Sequence, residues 1–231
     1  MLNLEQMQAD LFERWKSEKG YTLFISDGIF DTKTWQSQAL KVLYVLKEAN
    51  WEGGCPEKGL CNYLLSEESP TYWKTWNNIA RWSKALLEGG DYPSEVTKQD
   101  KTKWMKRIAF LNLKKIGGGS VAVNQEIESF AISDKQYIKE QIELCDPDII
   151  ICCGRGNGKN ADLLYYKVFE GVGCSEWKQT PNKYNYFDLK LPNSVKTIPV
   201  ISFYHPQMRG GHEKFKLRYE DMLMIKEHLG F

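Results

Sequence analysis

The side chains best suited to chemistry gather where apolar runs end. Residues Ile198 to His212 read IPVISFYHPQMRGGH: a β-branched and aromatic run stops at His205-Pro206, then a loop follows with Arg209, two glycines and His212. The run predicts a buried strand. Its carboxyl end then offers an imidazole, a guanidinium and free backbone N–H groups, and in open α/β sheets ligands bind at such ends. Three other apolar runs break in a comparable way. KVLYVL (41–46) is followed by Glu48, Asn50 and Trp51, and IAFLNL (108–113) carries Asn112 and is followed by Lys114 and Lys115. DIIICC (148–153) is followed by Arg155 and Lys159. If the four runs are parallel, all these residues share one edge. Its cations would meet phosphates, and the amides of Asn50, Asn112 and Gln207 would pair with a polar planar group.

The runs share an edge only if crossovers join them, and the intervening segments read as crossovers. Leu4, Met7, Leu11, Phe12 and Trp15 fall on one helical face, so a helix over about residues 3–18, closed by Gly20, packs on the sheet. Tyr21 to Gln38 is mixed, with turn chemistry at Ser26-Asp27-Gly28, and Glu52-Gly53-Gly54 is a loose connection. Ser69-Pro70 supplies a cap and a first-turn proline for a helix with Trp73, Trp76, Ile79, Ala80 and Leu87 in a stripe, ended by Gly89-Gly90. Asp91 to Lys103 is a polar connection. Ser133 and Gln136 form a capping box ahead of Ile138, Ile142 and Cys145, and Asp146-Pro147 stops that helix. Asn185 to Leu191 is a candidate extra strand, and Phe215, Tyr219, Met222, Ile225 and Leu229 make a last amphipathic helix. Four strands apolar throughout, with helical connections, predict one three-layer α/β/α domain over residues 1–231 around a mostly parallel four-stranded sheet.

Composition narrows the class. The chain has 231 residues, enough for one substantial core, and its formal net charge of +1 carries no global polybasic signature. Eight Trp, twelve Tyr and ten Phe serve a core first, although stacking platforms use the same rings. The six cysteines, Cys55 among them, show no C-x-x-C spacing, and Cys152-Cys153 inside an apolar run act as small hydrophobes. Met1 to Trp15 is amphipathic and interrupted by acids, unlike a secretory signal, and no run approaches membrane-spanning length. The expectation is a cytoplasmic monomer with reduced thiols and no membrane partner.

The four segments, in this order, resemble the uracil-DNA glycosylase superfamily, of which the chain would be a divergent member. KVLYVLKEANW resembles the motif that positions water, IAFLNLKK the strand whose Asn reads the uracil edge, and VISFYHPQMRGG the His-Pro motif that supports the departing base. DPDIIICCG resembles the family's sheet strand ending in glycine. The resemblance spans most of the chain from about Lys41 onward, in short blocks. His205-Pro206 followed by Arg209 is its most specific piece. Where the family has glycine flanked by proline and glycine, this chain has Lys47-Glu48-Ala49-Asn50-Trp51, so either Glu48 or Asn50 stands at the water-positioning place. Gln207 replaces the serine after His-Pro. The resemblance implies a DNA base-excision glycosylase acting on a flipped uracil-like base without a cofactor. In it His205 stabilises the leaving base, and Glu48 or Asn50 holds the attacking water. Asn112 reads the base, with Trp51 or Tyr63 as stacking ring, and its pattern mismatches cytosine. Lys114, Arg155, Pro206, Gln207 and Arg209 would contact DNA.

Plainer readings stand beside these. His205 before a proline can simply shape a turn, Lys114-Lys115 can be a solvated pair, and His212 and His228 read as surface residues. Gly154 to Lys159 lacks both P-loop and G-x-G-x-x-G spacing and reads as a tight strand-to-helix turn. His205 and His212 with Cys152 and Cys153 have no zinc-ligand spacing, so no metal is expected. Two other functions fit the same fold: a protein that binds DNA or a modified base without hydrolysis, and an enzyme acting on a free nucleotide or small metabolite.

Overall fold

The computed structural model describes residues 3–51, 59–192 and 194–231. The connection at Glu52-Gly53-Gly54, and Cys55, lie outside the described residues. The first helix, α1 (Leu4–Lys19), is capped by the Asn3 side chain and ended by Gly20 at φ 64°. The two-residue strand β1 (Gly28–Ile29) and α2 (Thr32–Ser37) precede the first apolar run, which forms β2 (Val42–Leu46). Then come α3 (Gly59–Leu65), α4 (Lys74–Leu87), α5 (Lys98–Met105) and β3 (Ile108–Asn112). After α6 (Asn124–Ser133) and α7 (Lys135–Cys145), β4 (Ile149–Cys153) leads into α8 (Asn160–Leu163) and a π-helical turn, Leu164–Val168. The chain continues with β5 (Lys178–Gln179), β6 (Asn185–Leu189), β7 (Ile198–Phe203) and α9 (His212–Leu229).

Among the described residues seven strands join one mixed sheet in the order β1-β3-β2-β4-β7-β6-β5. The four apolar runs are its parallel centre, β3-β2-β4-β7, as their lack of a polar face requires. Helices cover both faces. On one, Trp15 of α1 and Ile138 and Ile142 of α7 lie over Leu43, Leu111 and Ile150. On the other, Trp82 of α4 and Met222 and Ile225 of α9 lie over Tyr44, Ile151 and Phe203. Register aligns the site-bearing edge: Leu46 pairs with Asn112, and Cys153 with Phe203. Asn160 is fully buried, and its Nδ2 donates to the carbonyls of Val45 and Cys153 at 3.0 and 2.8 Å, tying the ends of β2 and β4 together.

The expected four-stranded sheet is the core of a larger one. β1 adds antiparallel to β3, and β6 with β5 adds antiparallel to β7. The helix expected from Ser69-Pro70 begins only at Lys74, with Trp73 at its cap position. The polar stretch 91–103 contains most of α5, nucleated by a reciprocal Thr97–Asp100 capping box. The Ser133–Gln136 box does not form: Ser133 is the last residue of α6, Asp134 takes the cap position of α7, and the Gln136 amide bonds Glu140. At that junction the buried Asp134 carboxylate accepts from Trp15 Nε1 at 2.9 Å and Tyr21 O–H at 2.8 Å, docking α1 onto α7.

Candidate functional site

The backbone ladder between β2 and β3 continues past both strands. Leu113 N–H donates to the Leu46 carbonyl and Lys114 N–H to that of Lys47, at 3.0 and 2.9 Å. Asn50 and Gly118 then form a parallel bridge, with Gly118 N–H on the Ala49 carbonyl at 2.9 Å. Two glycines allow this approach by having no side chain. A Cβ on Gly117 would stand 2.2 Å from the Trp51 carbonyl oxygen, and one on Gly118 would stand 2.0 Å from Glu48 Cδ. Gly117 therefore makes room for the Trp51 backbone and Gly118 for the Glu48 carboxylate.

A cavity of about 260 Å³ opens at this edge, and Glu48, Asn50, Trp51, Asn112, His205 and Gln207 all line it. β3 and β7 are three strand spacings apart, roughly 14 Å, so His205 reaches the cavity only because its turn is held there. Met208 N–H closes that turn on the His205 carbonyl at 3.0 Å, with proline at the favoured second position. Asn78 of α4, buried in the core, donates to the Pro206 carbonyl at 2.6 Å and anchors it.

Asn112 is 2 % exposed, and its Oδ1 has no hydrogen-bond partner. A buried amide oxygen without a partner costs about 1–3 kcal/mol, and this one belongs to a side chain lining a cavity. Its backbone is fixed from behind, where Asn112 N–H donates to Asp27 Oδ2 at 2.7 Å. Asp27 in turn receives Lys115 Nζ at 2.6 Å and Gln141 Nε2 at 2.8 Å on its other oxygen.

His205 stands at the cavity mouth, open to solvent on one side. Gln207 N–H donates to His205 Nδ1 at 3.2 Å. That bond requires a lone pair on Nδ1, so the proton of the neutral ring is on Nε2. Desolvation by the surrounding protein, with the nearby Lys47 charge, holds the imidazole below its ordinary pKa of 6.5. The ring is a neutral Nε2–H donor at neutral pH.

Glu48 carries a side chain only 5 % exposed, and its Oε2 is 2.7 Å from Lys114 Nζ. Lys114 also meets Glu126 Oε1 of α6 at 2.8 Å. Burial works against the ammonium, but hydrogen bonds to Glu126 and Glu48 outweigh it and raise the Lys114 pKa. Asn50 lines the same cavity with an exposed side chain. Trp51 and Trp73 both line the wall, with Tyr63 behind them: its ring is edge-on to Trp51 at 4.8 Å and tilted to Trp73 at 6.2 Å.

Several expected contacts fall elsewhere. Lys114 is 4 % exposed and spent on two carboxylates, so it does not present a charge to a polymer. Lys115 is fully buried. Pro206 is buried and faces α4 rather than solvent. Arg155 is exposed but turned away from the cavity, bonded to the Lys183 carbonyl at 2.9 Å and lying over the rings of Tyr184 and Tyr204. Arg209 is exposed beyond the His205 turn and does not line the cavity. Tyr63 backs the aromatic wall instead of forming it. Sequence reasoning missed Trp73, Lys74 and Ser120 as lining residues, and Asn78 as the anchor of the turn. Trp73 was legible as part of an aromatic stripe, but the stripe alone does not say which ring turns from the sheet to the cavity.

Among the described residues no helix is long and apolar enough to cross a membrane, and no three His, Cys, Asp or Glu side chains group as metal ligands. No protein-family model and no curated protein matches the chain.

Proposed function

We propose that the chain is a uracil-DNA glycosylase-like N-glycosylase that releases uracil or a related deaminated base from DNA. The observation that carries this reading is the meeting, in one cavity, of a buried Asn112 amide whose oxygen is unpartnered with a neutral imidazole donor at His205. An amide offers an acceptor and donors side by side, which suits the adjacent N–H and C=O of a uracil edge. The cavity lies just below the usual range for small-molecule pockets, roughly 300–1,000 Å³, and so suits a single flipped base.

Hydrolysis breaks the bond between C1′ and the base nitrogen, leaving the electron pair on the base and positive charge on the sugar. His205 Nε2–H donates to the base carbonyl oxygen as that charge develops, without giving up its proton. Glu48 or Asn50, past the carboxyl end of β2, holds the water whose oxygen bonds to C1′; the proton that water sheds passes to Glu48 or to solvent, and the released base anion takes up a proton from solvent. A base paired in a duplex is out of reach, so it enters flipped and meets the ring of Trp51 or Trp73. The four parallel strands and the three quoted segments at their carboxyl ends agree with the family resemblance.

The test is release of free uracil from uracil-containing oligonucleotides, single- and double-stranded, without added metal. Activity in the wild type, cut about 10²–10³-fold in His205→Ala as for loss of an oxyanion donor, supports the reading. Absence of base release from any deaminated substrate overturns it, and salt-sensitive DNA affinity without release would leave a binding protein.

A further inference from the structure

Lys114 and Glu48 form an ion pair almost out of contact with water, of which Glu48 lines the candidate site and Lys114 does not. The pair joins two strand ends, and its shape is more restricted than bridging requires. Lys114 takes one carboxylate oxygen, Oε2, at 2.7 Å; among the described residues Oε1 has no hydrogen-bond partner. The Gly118 backbone closes the other side, since even a Cβ there would stand 2.2 Å from each carboxylate oxygen. The ammonium is held from behind by Glu126 and lies 5.5 Å from the Phe130 ring centroid. A carboxylate clamped through one oxygen, with the other still able to accept a hydrogen bond, is the arrangement a water-holding group needs. Asn50, on the same cavity, is exposed and has no comparable clamp among the described residues.

We infer that Lys114 is a positioning residue, and that by clamping Glu48 against Gly118 it makes Glu48, rather than Asn50, the group that holds the attacking water. This rests on the glycosylase reading above. The ammonium never touches substrate; its effect passes entirely through the carboxylate.

A double-mutant cycle on the full chain separates this role from a merely structural one. Turnover of uracil-containing single-stranded DNA is measured for wild type, Lys114→Met, Glu48→Gln and the double variant, with Glu126→Gln as a control that leaves the inner pair intact. Lys114→Met lowers kcat about a hundredfold, the lower end of general acid–base effects, and leaves KM within about twofold, since base and DNA contacts are untouched. In the Glu48→Gln background the same change has no further effect on kcat, because the group it acts through is already gone. Lys114→Arg restores part of the activity, and Glu126→Gln keeps most of it. Should Lys114→Met not fold, Glu48→Gln against the double variant, which buries no unpaired charge, decides the matter: equal turnover supports the clamp. A kcat unchanged in Lys114→Met, or a further fall in the double variant, overturns it while leaving the glycosylase reading standing. A wild type that releases no base overturns both.

Discussion

Lys114 and Lys115 are neighbours of one residue type, both are at most 4 % exposed, and each is paired with an acid. They nevertheless occupy different electrostatic worlds. Lys115 is sealed: Nζ is 2.6 Å from Asp27, both side chains are fully buried, and the ammonium lies 4.9 Å from the Trp15 ring centroid. Desolvation dominates there and lowers the Lys115 pKa despite Asp27. Lys114 is shallow, with two carboxylates and one of them, Glu126, 44 % exposed, so its pKa rises. Depth and the number of counter-charges set the sign. The sealed pair braces the backbone of Asn112 from outside the cavity; the shallow pair contributes Glu48 to the cavity wall. One is therefore expected to govern stability, and the other turnover.

The largest effect should come from opening the sealed pair. Asp27→Ala leaves a charged lysine buried without a partner and should cost about 3–5 kcal/mol, read by denaturant unfolding. Replacing both members, Asp27→Leu with Lys115→Met, should recover most of that loss. A loss below 1 kcal/mol for Asp27→Ala would erase the distinction between the pairs. Next in size, Asn112→Ala should lower turnover by a factor on the order of 100 while leaving stability nearly unchanged, because it removes an amide whose oxygen is already unpaired. A large loss of stability in that variant would move Asn112 to the structural side. Lys114→Met should cost less stability than Asp27→Ala, since a shallow Glu48 can be rehydrated, and a larger cost would invert the comparison. The smallest effect concerns His205, the histidine that lines the cavity. Its native pKa lies below 6.5, so the folded ring takes up its proton later than the unfolded one as pH falls. It therefore destabilises slightly from about pH 6.5 downward and not above. An NMR titration should find the midpoint below 6.5, with the neutral ring protonated on Nε2; a midpoint above 6.5 would place His205 with Lys114 among the supported cations.

The four central strands were legible because a strand buried on both faces has to be apolar throughout. The edge strands were not: β1 and β5 have two residues each and no period to read. α5 escaped because only Trp104 and Met105 are apolar in KQDKTKWM, and Lys101 is buried by donating to the Pro70 carbonyl. In the site, Asn112 and His205 were legible from their place at the ends of apolar runs. The inward turn of Lys114 and Lys115 was not, because the buried acids they meet, Glu48 and Asp27, lie 66 and 88 residues away. A lysine beside a strand end has the same local sequence whether it faces water or an acid. The glycine run after β3 looked like a break, whereas it carries the pairing with the Asn50 segment onward.

The Asn78–Pro206 hydrogen bond has a mechanical side. The cap and first turn of α4 supply Trp73 and Trp76 to the cavity wall, and Asn78 in the next turn holds the His205 turn. Wall and donor thus ride on a single lever, although 128 residues of chain separate Asn78 from Pro206. On the function proposed above, a guest that pushed the wall outward would carry the imidazole with it, so the fit of its flat face and the reach to its oxygen would be set by one displacement rather than two.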